Sequence, residues 1–516
     1  MNVGRLLTNS ARQFPDHPAI TWGNRSITYA ELDHRTNALA HGLSLMGVAK
    51  GDRVGVLMRN RPELLEAMFA CFKAGFCLVP LNSRFTPEDV AYHVEDSSAV
   101  AVLTDSDGLS VVSGARLAGM TVVVAGDIDE VPDGALRHDD IIAGADTSSA
   151  VVDVERDDLA WLFYTSGTTG RPKGAMLTHG ILGFVTASWL ADLTPIDERD
   201  VTLHAAPLTH GAGFHALAAT ARAAHQIIPI DSSFDPLAIL DLIRSARVTN
   251  TWLVPTQIVM LVDAVGDRHP DLGDLRCVVY GGAPFVPADL RQALQTFGPV
   301  FVQLFGQGET PMTATVLSSR DHASALAGDR LERLASAGVA RPGTDVRILG
   351  DDDTELAPDE VGEVCVRGGA VMLGYWNRPE ATAETLRNGW LHTGDLGRMD
   401  EYGYVYLLDR AKDMIISGGS NVYAVEVEAA LADHPAVREV AVVGVTDRTW
   451  GEVVTAVIVV NDDRDTDGLE AQLSAHCSAR LAGYKRPRRF AFVDGLPRNA
   501  YGKVLKRELR ARLDQT

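Results

Sequence analysis

Cysteine is scarce. The 516 residues contain five, at positions 71, 77, 277, 365 and 477, an odd number with no CxxC pair. This excludes a disulfide framework and a cysteine-rich zinc module, and it makes a reducing compartment, the cytoplasm, the expected setting. Positive charge is also in short supply: 47 Lys+Arg face 68 Asp+Glu, a net charge of -21. General nucleic-acid or anionic-membrane binding is therefore not expected, and any anionic substrate has to be met by local positive sites. No apolar run approaches the roughly 20 residues of a membrane span. The opening MNVGRLLTNSARQFPDHPAI breaks its apolar residues with polar ones every few positions, so no secretory leader is expected either. What remains, 46% hydrophobic and 22% charged, is a globular composition too long for one ordinary core, so two or more domains are expected.

One stretch organises the chain. Tyr164 to Leu177, YTSGTTGRPKGAML, follows the apolar run Leu159 to Phe163, which suits a buried strand, and so should emerge at a strand end. Thr165, Ser166, Thr168 and Thr169 offer hydroxyl donors. Gly167, Gly170 and Gly174 permit sharp turns and close backbone approach, and Lys173 adds a point charge. The set suits a polyphosphate, although the GxxxxGK[ST] spacing of a Walker loop is absent. Around it, residues 1 to 160 alternate strand and helix patterns, with strands at Val54 to Met58 and near Val100 and Val122, and a helix through Leu64 to Lys73. The alternation resumes with strands near Val201, Ile227, Thr251 and Cys277 and a helix over Asp235 to Arg247, predicting mainly parallel sheets covered by helices. From Val339 to Leu408 short strands between glycine turns predict a small β-rich subdomain, and the end of the chain reads as α+β.

The string YTSGTTGRPKG resembles the phosphate-loop signature of the adenylate-forming family, which includes acyl-CoA synthetases, peptide-synthetase adenylation domains and luciferases. Further segments resemble the family in order, from KAGFCLVPLNSRFTPEDVAYHVEDS, to which only a packing role is given, to PRNAYGKVLKREL. The resemblance implies an α/β fold: a large multi-subdomain N-terminal domain over residues 1–410, with mainly parallel sheets and the β-rich subdomain, and a small mobile α+β domain over residues 411–516. It implies ATP with Mg²⁺, CoA as co-substrate and a small carboxylic acid, and it leaves the oligomeric state open, a dimer being compatible.

The site residues follow from the same resemblance. Thr165, Ser166, Gly167, Thr168, Thr169, Gly170 and Lys173 would hold phosphates. Gly282, Ala283 and Pro284 of YGGAP, with Phe305 and Gly306 of QLFGQGET, would wall the adenine and acyl pockets. Glu309 would hold Mg²⁺, which is also the physical reason for a carboxylate beside phosphates. His210 in APLTHGAGFHALAAT would border the carboxylate substrate. His215 stays open between pocket and packing, and the small residues around both suggest room for a fatty chain or a ring. Asp395 of TGDLG and Arg410 would hold the ribose. Lys412 would be the pivot of the C-terminal domain, and Gly418 and Gly419 would line the pantetheine channel. Trp450 and Lys485 would lie on the CoA side, and Lys503 would be the catalytic lysine, its ammonium stabilising charge at the α-phosphate.

One position departs from the family pattern, which has threonine or serine directly before the glutamate. Here it is Gly308, so a hydroxyl contact to the α-phosphate is missing unless Thr310 or a water supplies it. The eleven Lys/Arg residues between Arg480 and Arg512 suggest a basic face suited to ATP and CoA. The expected activity is thus acyl-adenylate formation from a fatty or aromatic acid followed by thioesterification. An amide ligase using an amine, a luciferase-like oxidoreductase and a non-catalytic nucleotide-binding module are the alternatives.

Overall fold

A computed structural model describes the whole chain apart from residues 118, 127, 129–130, 166–170, 232, 267, 269, 284, 411–412, 418, 462–467, 499–503 and 515–516. Two large sheets form the body. One runs in the order Ala135–Arg137, Thr121–Ala125, Ala99–Asp105, Arg53–Leu57, Cys77–Leu81, Leu159–Thr165, Lys173–Thr178. Every neighbouring pair is parallel except the last, which is antiparallel. The other has nine strands, parallel through its middle, from Ile20 to Tyr280 and Phe301, and antiparallel at both ends. The strand Cys77–Leu81 is buried at every position, as a parallel strand covered on both faces requires.

The helix Pro62–Ala74 lies wholly inside, buried at all its positions, so each of its charged side chains needs a partner. The fully buried Lys73 ammonium donates to Asp33, Thr36 and Asn37 at 2.6–2.8 Å. Glu63 is paired with Arg25 and Arg61, and Glu66 with Arg35 and His138. Removing one partner of such a buried set leaves an uncompensated charge, a loss of about 3–5 kcal/mol.

His138 gives this network a pH signature. Burial by itself pushes its imidazole down, but hydrogen bonds and charge from Asp139 and Glu66, with Glu63 further off, outweigh burial and push it up to about 9, from 6.5. Its stabilising contribution is therefore complete below pH 6.5 and is lost as pH rises through about 9. We expect the melting midpoint of the wild type to fall over this window relative to His138→Asn. Parallel pH curves for the two proteins in differential scanning fluorimetry would contradict it.

Beyond Val339 lies the expected β subdomain, with Thr344–Leu349, Gly362–Gly368, Trp390–Met399 and Leu386–Arg387 in one sheet and Val405–Arg410 paired to Trp390–Met399. The last sheet, built from Ile415–Ser417, Ser420–Val422, Val437–Asp447, Gly451–Val460 and Arg489–Phe492, has its own apolar core around Val427, Leu431, Val442, Ile458 and Leu473. Its helices Ala424–Ala432, Leu469–Ser478 and Lys506–Leu513 make it α+β.

On the helix Gly211–Ala221 two glycines serve close packing against the core. A Cβ at Gly213 would lie 2.7 Å from the Trp161 ring, and one at Gly211 would overlap the Met312 methyl and lie 3.0 Å from Trp252. Both rings belong to the core, because a helix without bulk on this face lets large neighbours come close.

Candidate active site

Two hairpin tips meet here. The phosphate stretch does not lead into a helix: Leu159–Thr165 turns back into Lys173–Thr178, with Thr165 opposite Lys173. Ser166, Gly167, Thr168, Thr169 and Gly170 lie outside the described residues. Both stems of the loop are tied to the helix Pro87–Ser97. The Tyr164 hydroxyl donates to Asp96 at 2.8 Å, and the Tyr92 hydroxyl donates to the Pro172 carbonyl at 2.7 Å. Arg378 pairs with the same Asp96. Thr86 starts that helix through a reciprocal capping box with Asp89, with Pro87 in the first turn, so local sequence fixes where the two anchors sit.

The second tip joins Phe301–Gln307 to Thr310–Leu317 and carries Gly308 and Glu309. Gly306 sits where the strand pair bulges, and a Cβ there would lie 2.6 Å from the Thr310 carbonyl; Phe305 beside it is half-buried. The Glu309 side chain is nearly buried, and its Oε1 accepts from Thr165 Oγ1 at 2.9 Å and from the Tyr375 hydroxyl at 2.7 Å. Tyr375 reaches this point because residues 373–376 run along the phosphate hairpin like an added strand. Leu373 N–H donates to the Met176 carbonyl, Met176 N–H to that of Gly374 and Trp376 N–H to that of Gly174. The Lys173 ammonium lies 4.7 Å from the centre of the Tyr375 ring, so one tyrosine touches both the loop lysine and the acidic tip.

Among the described residues Glu309 makes no ion pair; two neutral hydroxyls hold it. Carboxylate and hydroxyl oxygens are the donors Mg²⁺ takes, so the chemistry of this group fits that ion. Thr310 is fully buried and its hydroxyl has no hydrogen-bond partner among the described residues, so it does not supply the group that Gly308 lacks.

Asp395, on Trp390–Met399, stands opposite Arg410, whose Nε is 2.8 Å from Oδ1. Gln307 donates from Nε2 to Asp395 Oδ2 at 2.6 Å and to the Thr393 carbonyl at 2.9 Å, which couples the acidic hairpin to the carboxylate. Behind this turn Glu363 accepts from the Gly394 N–H at 2.8 Å and meets His392 Nδ1 at 2.8 Å, with Cys365 Sγ 3.3 Å from the same nitrogen. The three donors lie within 4.8 Å of one another. Burial pushes the Cys365 thiol up to about 12, and the Arg387 guanidinium stands 3.5 Å from Glu363, so the trio acts as a hydrogen-bonded support for the turn.

At the opposite end His210 precedes the helix Gly211–Ala221, its ring 4.8 Å from that of Phe163. Burial pushes its imidazole down to about 4, which keeps it neutral at pH 7. His215 is fully buried, stacked on Trp189 at 4.8 Å and bonded to Asn250, and so belongs to the core. Gly282 has φ +83 and Ala283 is exposed, at the end of Cys277–Tyr280; Pro284 lies outside the described residues.

Lys412, Gly418 and Lys503 also fall outside the described residues. Gly419, with φ +77, turns the hairpin between Ile415–Ser417 and Ser420–Val422. Trp450 is 38% exposed and carries the Arg488 guanidinium 3.8 Å over its ring. Lys485 is held by both oxygens of Glu426 at 2.7 Å. Within the basic run Arg489 pairs with Asp447, Arg498 with Glu439, Lys506 with Glu428 and Arg512 with Glu508. Sequence reasoning missed Tyr92, Asp96, Gln307, Glu363 and Tyr375. Of these Gln307 lies inside the glycine-rich motif, and Tyr92 and Asp96 lie inside KAGFCLVPLNSRFTPEDVAYHVEDS, to which only a packing role was given.

Thr165 and Tyr375 on the Glu309 carboxylate, with Gln307 linking that hairpin to the Asp395–Arg410 pair, bring the sequence motifs together in one place on an α/β body, the arrangement of an acid-activating, nucleotide-using enzyme. The chain belongs to the AMP-binding enzyme family, whose model matches residues 7–376; the model of the AMP-binding enzyme C-terminal domain matches residues 426–503. It is 41% identical over 510 residues to a feruloyl-CoA synthase of Amycolatopsis sp, covering 99% of both chains. To the medium/long-chain-fatty-acid–CoA ligase FadD8 of Mycobacterium tuberculosis it is 34% identical, covering 99% of this chain and 90% of the relative. The crystal structure of ATP-bound MatB from Rhodopseudomonas palustris superposes with a TM-score of 0.88 at 34% identity, over 100% of this chain and 99% of that one. The protein is thus an AMP-forming acid–thiol ligase that works through an acyl adenylate. ATP and CoA use fits that family, and no helix among the described residues is long and apolar enough to cross a membrane.

Proposed function

We propose that the enzyme joins a compact aromatic acid to CoA. The carboxylate attacks the α-phosphorus of ATP and pyrophosphate leaves; the CoA thiol then attacks the acyl carbonyl, AMP leaves, and the thiol proton passes to solvent. The observation that carries the choice of acid is the Trp252–Met312 wall beside His210. Trp252 lies 3.0 Å from the Cβ position of Gly211 and 4.0 Å from that of Gly282, so one indole edge spans the floor between the two loops. In this reading a flat ring stacks against that indole edge, whereas an extended chain would have to pass it. The name of the feruloyl-CoA synthase relative agrees with this reading.

In this reading Lys173 and the loop 166–170 hold the β- and γ-phosphates, Thr165 keeps its one hydroxyl proton on Glu309, and Asp395 with Arg410 takes the ribose hydroxyls. Neutral His210 borders the substrate carboxylate. Glu309 would hold Mg²⁺, which when bound offsets phosphate charge during displacement. The unit from residue 411 onward turns about Lys412 between the two half-reactions, because Lys503 and the CoA channel serve one site in succession. Five buried free cysteines suit a cytoplasmic setting.

The test is a panel of ferulate, benzoate, decanoate, palmitate and acetate, read as AMP release with and without CoA. We expect kcat/KM for ferulate or benzoate to exceed that for palmitate by at least about 10-fold, the scale on which a hydrophobic pocket discriminates. Palmitate turning over faster than both overturns the choice of acid. Turnover that survives replacement of CoA by an amine favours the amide-ligase alternative.

A further inference from the structure

Gly308 stands where the adenylate-forming pattern has a hydroxyl side chain, and the structure shows what fills that volume. A Cβ at Gly308 would overlap the Thr165 methyl and would lie 2.6 Å from Cδ1 and 3.0 Å from Cε1 of Phe163. Neither neighbour can give way freely. Rotating Thr165 to move its methyl would carry Oγ1 off Glu309, to which it donates at 2.9 Å. Phe163 is buried, tilted against the His210 ring at 4.8 Å and the Phe214 ring at 5.7 Å, with Trp161 stacked behind on Phe214 at 4.8 Å. Displacing it would disturb a four-ring cluster that reaches from the acidic tip to the substrate histidine.

We propose that Gly308 is a positioning residue: the space its missing side chain leaves receives the Thr165 methyl and the Phe163 edge, and this packing turns the Thr165 hydroxyl onto Glu309. The gap at 308 is therefore not a vacancy for a water to fill. A hydroxyl restored there works against the site, because it evicts the one already aimed at the metal carboxylate. The proposal rests on the role given above to Glu309, and it adds that Phe163 is the residue through which the acidic tip and His210 share one wall.

The test separates the methyl from the hydroxyl of Thr165. Gly308→Ala and Gly308→Ser are each expected to lower the apparent melting midpoint of the nucleotide-free protein by about 2–4 °C, as an overpacked core does. Each should also lower kcat for acid-dependent ATP–pyrophosphate exchange about 10-fold with the KM of the acid unchanged, the scale of a lost supporting contact at a metal ligand. Adding Thr165→Ser to Gly308→Ala removes the methyl and keeps the hydroxyl, and it should restore most of the exchange and part of the midpoint, the rest being held by Phe163. Adding Thr165→Val keeps the methyl and removes the hydroxyl, and it should restore neither. Phe163→Leu in the Gly308→Ala background should recover part of the midpoint. Gly308→Ala behaving as wild type, or Ser and Val at 165 rescuing equally, overturns the proposal. If no acid supports exchange in the wild type, the adenylation reading fails by itself, while the melting pattern still decides whether Gly308 is packed in this way.

Discussion

Glu309→Gln is expected to fold normally and to lose roughly 10²-fold in acid-dependent ATP–pyrophosphate exchange, the order that removal of a metal-held charge implies. The substitution is informative because the amide keeps an oxygen where Oε1 now accepts from Thr165 at 2.9 Å and Tyr375 at 2.7 Å. The two hydroxyls can stay in place, and the main chain remains held by Met372 N–H on the Glu309 carbonyl. What disappears is the negative charge, which the described surroundings meet with neutral hydroxyls. The loss should shrink as MgCl₂ is raised and leave the melting midpoint unchanged. A loss that is the same at every MgCl₂ concentration, together with a lowered midpoint, would assign Glu309 a structural part only.

Lys503→Ala is expected to reduce adenylation by about 10²–10³-fold, the range for removing one fixed charge from a developing phosphoryl transition state. The same variant should transfer a supplied acyl-adenylate to CoA within a few-fold of wild type. The asymmetry follows from where charge develops. In the first step an anionic carboxylate approaches an anionic phosphate, and a fixed ammonium offsets both; in the second a thiol meets an acyl carbonyl, and that charge is not between them. Single-turnover assays of the two halves read this directly, and equal loss in both would contradict the role. Lys503 also ends the stretch matched by the C-terminal family model, residues 426–503.

The architecture was largely legible from the chain. The strands near Val54, Val100, Val122, Val201, Ile227, Thr251 and Cys277 lie where apolar runs placed them. Helix and strand periodicity is a local property, so a local reading recovers it. The geometry of the phosphate stretch was less legible. Its glycines and hydroxyls announce a turn, but whether a helix or a second strand follows depends on whether Lys173–Thr178 finds a sheet partner. It pairs with Leu159–Thr165 and with residues 373–376, and the latter pairing spans about two hundred residues.

The same distinction separates the two kinds of site residue. By itself the sequence determined the class of chemistry: the YTSGTTGRPKG string, Glu309, Asp395 and Lys503 lie inside short motifs that resemble those of the family, and the roles proposed for them in binding phosphate, metal and ribose and in offsetting transition-state charge follow from residue types that a local reading sees. Tyr92, Asp96, Gln307 and Tyr375 bind other protein groups, and their partners are 80, 68, 88 and 66 positions away along the chain. Such contacts exist only after the sheets have packed, because nothing local rewards a tyrosine at 375 for meeting a glutamate at 309. Gly308 shows this most plainly. Read along the chain it is a missing hydroxyl; in the fold it is the space into which Phe163 and Thr165 pack, and only tertiary structure, by setting which side chains compete for one volume, decides between a loss and a fit.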